Sequence, residues 1–309
     1  MIDPKTFASW VSGEAQAAFV RIATEPPPPV ELAAVREHYD AFNRRMLDAA
    51  RARYPVAIES TVVAGVPCHI VTPVAGVRGE QTLLCLHGGA FMWGAGAGAL
   101  LEAVPIAAEM GCMVVAVDYR LAPEHTYPAP VDDVLAVYSE LRSSSAPRRI
   151  GIFGCSAGGM LTAQVVARLA HENLPLPGAI AMLHGTGLEF EGDLAAAAPL
   201  FAGQLGAADL PSAERLPYFA TADLSDPLVL PGNHPEALAK FPPSLLVTAT
   251  RDFAASACSV MHRRLLDAGV DARFVMFDGL GHAHHMDVGL PESRETFRIT
   301  AHFFGEHLR

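Results

Sequence analysis

The chain has 309 residues, 51% hydrophobic and only 18% charged, enough apolar side chain for one large core and better suited to a single domain with insertions than to two domains. Its 22 basic residues against 33 acidic ones give a formal charge of -11, which repels phosphate backbones and anionic lipid headgroups and sets nucleic acid and membranes aside as partners. The opening MIDPKTFASW lacks a basic start followed by an apolar run, and no stretch of about eighteen consecutive apolar residues occurs, so the expected location is cytoplasmic.

Residues 1 to about 50 read as amphipathic helix, broken by the prolines at 26–29. Two β-rich runs follow at 57–63 and 68–72. Their link, Ala64-Gly65-Val66-Pro67, leaves no room for a helix, so they read as an antiparallel hairpin at a sheet edge, where Pro67 is tolerated. From there strands at 82–86, 112–117, 150–153, 179–183, 244–248 and 272–277 alternate with helices at 99–109, 130–142, 157–171, 254–268 and 292–307. This alternation predicts an α/β fold: eight strands in a mostly parallel sheet with helices on both faces. Between 183 and 244 about sixty residues intervene where a handful would serve. That excursion, 187–240, and the N-terminal 1–50 are expected to form a helical cap over the C-terminal edge of the sheet, leaving 51–186 and 241–309 to build the main domain. Both cap segments are rich in Ala, Leu, Phe and Pro, with apolar stretches such as 194–205, and should wall in a small apolar pocket. The five cysteines, Cys68, Cys85, Cys112, Cys155 and Cys258, are odd in number and widely spaced, which suggests reduced thiols with no zinc pattern.

Four strand ends carry chemistry. After 82–86 comes His87-Gly88-Gly89-Ala90-Phe91-Met92-Trp93-Gly94, whose paired glycines let the backbone aim N–H groups at one point, as an oxyanion requires. Phe91, Met92 and Trp93 would narrow a substrate pocket, although three large apolar residues after a turn are as often plain core. The run 150–153 leads into Gly154-Cys155-Ser156-Ala157-Gly158-Gly159 and a helix. That is a nucleophile elbow in context: small neighbours allow a sharp strand-to-helix turn that lifts the Ser156 hydroxyl clear of the sheet. A serine needs a histidine to take its proton and an acid to orient that histidine. Asp252 lies just past the strand at 244–248, and His282 follows Gly279 and Gly281 in a loop after the last strand. Asp226 and Asp278 are rival acids, and His284 and His285 rival bases. A metal cluster of His282, His284, His285 and Asp287 is disfavoured because no matching ligands occur elsewhere.

Three motifs together resemble the bacterial hormone-sensitive-lipase-like carboxylesterases of the α/β-hydrolase fold. His87 to Ala90 looks like their H-G-G-G, Asp118-Tyr119-Arg120-Leu121-Ala122-Pro123-Glu124-His125 matches their D-Y-R-L-A-P-E-H, and Gly154 to Gly159 looks like their G-D-S-A-G-G. The resemblance implies hydrolysis of small-molecule esters with short to medium acyl chains and no cofactor. Ser156 would be the nucleophile, His282 the base and Asp252 its orienting acid. The oxyanion donors would be the N–H groups of Gly89, Ala90 and Ala157, with Gly88 shaping the turn. Some relatives pair through the edge of the last strand, which raises a homodimer as an expectation. Amide, lactone or acyl-transfer chemistry on the same triad, or a non-catalytic ligand-binding relative, are the alternatives. Two positions depart from the pattern. Ala90 replaces a third glycine, harmless only at negative φ, and Cys155 replaces an aspartate. Arg120 and Glu124 are expected to bridge loops below the site and are assigned no chemistry.

Overall fold

The hairpin at the start of the sheet turns on Ala64 and Gly65, both left-handed at φ 49 and 86, which is the backbone of a two-residue turn that matches strand twist. It joins β1 (Val56–Val63) to β2 (Val66–Pro73), paired antiparallel. The computed structural model describes residues 6–202 and 212–309. The other strands are β3 (Thr82–Leu86), β4 (Met113–Val117), β5 (Ile150–Cys155), β6 (Ala179–Leu183), β7 (Ser244–Arg251) and β8 (Ala272–Gly281). They form one sheet in the order β1-β2-β4-β3-β5-β6-β7-β8. β2 meets β4 antiparallel, and every pairing from β4 to β8 is parallel. The chain therefore has the α/β-hydrolase fold that the sequence resemblance implied.

Central strands are apolar on both sides because both faces are covered. In β3, Leu84 and Leu86 enter the core under α4 (Ala129–Ser144), α5 (Ala157–His171) and α8 (Ala255–Asp267), while Leu83 and Cys85 enter the core under α3 (Leu100–Met110) and α9 (Pro291–His307). The N-terminal residues form α1 (Gly13–Thr24) and α2 (Leu32–Arg53), separated by the prolines. α1 packs against β8, α9 and α6 (Asp193–Ala202), and α2 against α3.

Helices and strands lie within a few residues of their sequence positions, with two differences. β8 runs four residues past its expected end, because a bulge between Ala249 and Arg251 lets Arg251 pair with Gly281. Among the described residues of 187–240 the structure has α6, three short 3-10 turns and α7 (Pro235–Leu238), which lack the long apolar periodicity that makes a helix readable. Part of the 194–205 stretch lies outside the described residues. No helix among the described residues is long and apolar enough to cross a membrane, and the five cysteines are buried and free.

Candidate active site

Ser156 lies between β5 and α5, capping the helix, with φ 56 and ψ -118, a conformation that costs a side-chain-bearing residue free energy. It persists because its neighbours have no side chains in the way: a Cβ on Gly158 would collide with the carbonyl of Leu86. The turn leaves the Ser156 side chain partly exposed at the C-terminal edge of the sheet. His282 Nε2 lies 2.9 Å from its Oγ. On the far side of the imidazole, Nδ1 lies 2.7 Å from Asp252 Oδ1. Asp252 is fully buried one residue past β7, as its sequence position suggested. Burial alone would push its carboxyl up, but the two imidazoles facing it, His282 and His184, outweigh burial and hold it well below the usual carboxylate range. It is an anion in a dry place.

The glycine-rich loop approaches from the next strand. Gly88 lies so close that a Cβ on it would sit 3.4 Å from that of Ser156, and Gly89, at φ +116, takes a conformation denied to residues with side chains. Ala157, first residue of α5, has an N–H with no partner in the helix. The loop is held from outside: Arg36 of α2 donates from Nε to the Met92 carbonyl at 2.9 Å, and Tyr119 donates its hydroxyl to the His87 carbonyl at 2.7 Å.

A description of the α/β-hydrolase fold matches residues 83–286. The chain belongs to this family. LipR of Mycobacterium tuberculosis, named for acetyl-hydrolase activity, is 31% identical over 264 residues, covering 80% of this chain and 79% of LipR. The solved esterase E25 superimposes with a TM-score of 0.84 at 30% identity, covering 100% of this chain and 99% of its own. An esterase of the bacterial hormone-sensitive lipase family superimposes at 0.83 with 25% identity, covering 98% of this chain and all of the other. The hormone-sensitive-lipase-like branch read from the motifs is the right one.

Against other members of this α/β-hydrolase family, the two departures have physical consequences. Ala90 sits at φ 51, not in the negative range, and Phe91 follows at φ 61, so the loop carries two left-handed side-chain-bearing residues in succession. That costs roughly 1 to 2 kcal/mol per residue. Cys155 is buried, and burial first, then the charges of Glu102 and Asp252, push its thiol well above its ordinary value. A neutral thiol therefore stands where an aspartate is usual. Within 4.8 Å of it lies Glu102 of α3, fully buried, whose Oε1 is 3.2 Å from His285 Nε2.

The remaining candidates lie apart. Phe91 is 1% exposed and stacks on Tyr218 at 3.7 Å, whereas Trp93 stacks on Tyr39 of α2 at 4.8 Å and Met92 is half-buried. Asp278 bonds Thr250 and Trp10, and Asp226 receives the Leu228 N–H, so neither acid faces His282. His284 bonds Thr296. Arg120 and Glu124 do bridge, but to Asp133 and Arg36 and not to each other. Among the described residues the metal-compatible groupings are Glu102, Cys155 and His285, and His184, Asp252 and His282; neither is the His282, His284, His285 and Asp287 cluster that the sequence disfavoured. Sequence reading missed Arg36, Thr248 and His184. Only His184 had a signal, as a histidine directly after an apolar strand.

Proposed function

We propose that this enzyme is a carboxylesterase that hydrolyses short- to medium-chain acyl esters through an acyl-enzyme on Ser156. The observation that carries the reading is the unbroken run from Ser156 Oγ to His282 to the buried Asp252, at 2.9 and 2.7 Å. His282 Nε2 takes the serine proton as Oγ attacks the ester carbonyl, and Asp252 holds the imidazole in the required tautomer and balances its charge. The N–H groups of Gly89, Ala90 and Ala157 receive the oxyanion, and Gly88 lets the loop come close enough. His282 then passes the proton to the departing alcohol. A water deprotonated by the same imidazole releases the acid. The residues need no cofactor for these steps.

The names of the relatives support the reaction class, esters and acetyl groups among them. Residues 1–50 and 187–240 form the cap over the site in this proposal. Phe253 stacks on the His282 ring at 4.1 Å and Phe190 meets Phe253 edge-on at 5.1 Å, which favours a short apolar acyl or alcohol group beside the base. Each methylene that fits adds about 0.8 kcal/mol until the pocket ends. The test is kcat/KM for p-nitrophenyl esters from two to sixteen carbons, with a fluorophosphonate adduct mapped by mass spectrometry. The expected result is a maximum at or below about eight carbons and an adduct on Ser156. A maximum at twelve carbons or beyond sinks the short-chain assignment, and an adduct elsewhere sinks the mechanism.

A further inference from the structure

Asp252 is bonded on both oxygens. Oδ1 accepts from His282 and, at 2.9 Å, from the Ala254 N–H. Oδ2 accepts from the Thr248 hydroxyl at 2.6 Å and faces His184 Nδ1 at 2.6 Å. An ionised carboxylate only accepts, so the proton of neutral His184 is on Nδ1. That leaves Nε2 as a buried lone pair with no partner among the described residues.

As a core residue, His184 is a poor choice. It follows β6 at φ 52, a left-handed backbone that disfavours a side chain, and it is completely buried with one nitrogen unsatisfied. Strain and an orphaned polar atom at one position, both beside the orienting acid, point to a role for the bond it makes. We propose that His184 is a positioning residue for ester hydrolysis: its Nδ1–H holds the Asp252 oxygen that His282 does not use, which fixes the carboxylate plane and through it the His282 imidazole. This inference rests on the triad assignment given under the proposed function.

The groups around His184 keep the bond in one protonation state. Asp252 and Thr248 face it from β7 and the residue after it. The rings of His282, His284 and His285 face it from the loop after β8, at 5.5, 5.1 and 5.3 Å. Glu102 of α3 lies behind His285, and Cys155 of β5 and Cys258 of α8 are thiols that burial keeps neutral. Burial pushes His184 down to about 4 even though the Asp252 charge pulls it up. At neutral pH it donates one proton and carries no charge.

The experiment compares His184→Ala, His184→Asn and His184→Gln with wild type, using p-nitrophenyl butyrate and thermal melting, and with fluorophosphonate labelling of wild-type Ser156 in parallel. The amide of Asn can occupy the place of Nδ1, and Asn tolerates the left-handed backbone, whereas the amide of Gln falls nearer Nε2. For His184→Ala we expect kcat to fall by about tenfold with KM within about twofold. Losing a donor makes Asp252 more basic, so it holds the imidazolium of His282 more tightly. The acid limb of kcat/KM should therefore move upward, by about half a pH unit. His184→Asn should recover kcat to within about threefold and return the limb to its wild-type position. A folded His184→Ala with wild-type kcat and an unmoved limb overturns the inference, as does an Asn variant no better than Ala. Should His184→Ala fail to fold, Asn against Gln decides: Asn active and Gln impaired supports it, and equal activity overturns it. A wild type unlabelled at Ser156 overturns the triad and this inference together, whereas labelled wild type with indifferent His184 variants overturns this inference alone.

Discussion

Replacing Ser156 by alanine removes one oxygen and leaves the elbow to be held by the same glycines. The variant should fold with an unchanged melting temperature and lose roughly a thousandfold or more in kcat. More than about a tenth of wild-type turnover in purified Ser156→Ala would show that another group is the nucleophile. Ala90 makes the opposite kind of prediction. At φ 51 it holds a conformation that glycine adopts freely, so Ala90→Gly should raise stability by up to about 1 kcal/mol, less the extra freedom glycine gains in the unfolded chain. Thermal melting checks it. That Ser156, His282 and Asp252 come together was legible in the sequence because glycine punctuation and strand ends mark them locally. His184 was not. Its meaning depends on a carboxylate 68 residues further on, and no local pattern shows which strand end faces which.

At the scale of elements, α2 is fastened to the loop that carries the proposed oxyanion donors. Arg36 reaches the Met92 carbonyl, the Ala122 carbonyl at 3.1 Å and the Glu124 carboxylate at 2.7 Å, joining the helix to two loops at once. The Glu124 pair is at the surface and adds little by itself, whereas the bond to Met92 restrains the loop that Gly89 and Ala90 belong to. Arg36→Met keeps the aliphatic stem and removes these bonds. It should lower kcat by about fivefold or more while shifting the melting temperature little, read from initial rates and melting curves. Unchanged kcat would mean the loop keeps its shape without the helix. The strands and long helices could be read because period and punctuation agree over many residues. The stretch with α6, α7 and the short turns could not, since its conformation comes from packing on α8 and β7 and not from its own pattern.

For the molecule as a whole, buried histidines set an acid limit on stability. Burial holds His87 and His284 below the ordinary imidazole value, and His184 at about 4. In the unfolded chain each takes up a proton below about 6.5, but the folded state does so only at lower pH. The unfolded state therefore binds more protons in that window, and stability falls as pH drops from about 6.5 toward 4. Asp252 acts in the same direction further down, because its folded carboxyl is held low and its stabilisation is lost as the pH falls below about 4. His184 alone should cost on the order of 2 kcal/mol by pH 5. Melting temperatures at constant ionic strength should fall clearly between pH 7 and 5, and a flat profile there would mean these rings become charged without penalty.

With His282 as the proposed base, the sheet order also bears on when activity should appear during synthesis. β8 is both an outer strand of the sheet and the last to be made, and the loop after it carries His282. Residues 10–21 brace that loop and both elements flanking it: Trp10 donates to Asp278 in β8, Arg21 pairs with Asp287 in the loop, and Ser12 donates from both backbone and hydroxyl to Glu292 in the first turn of α9. A growing chain can thus present a finished serine elbow before it contains the proposed base. On the proposed triad, a fragment released before residue 282 should be inert toward esters.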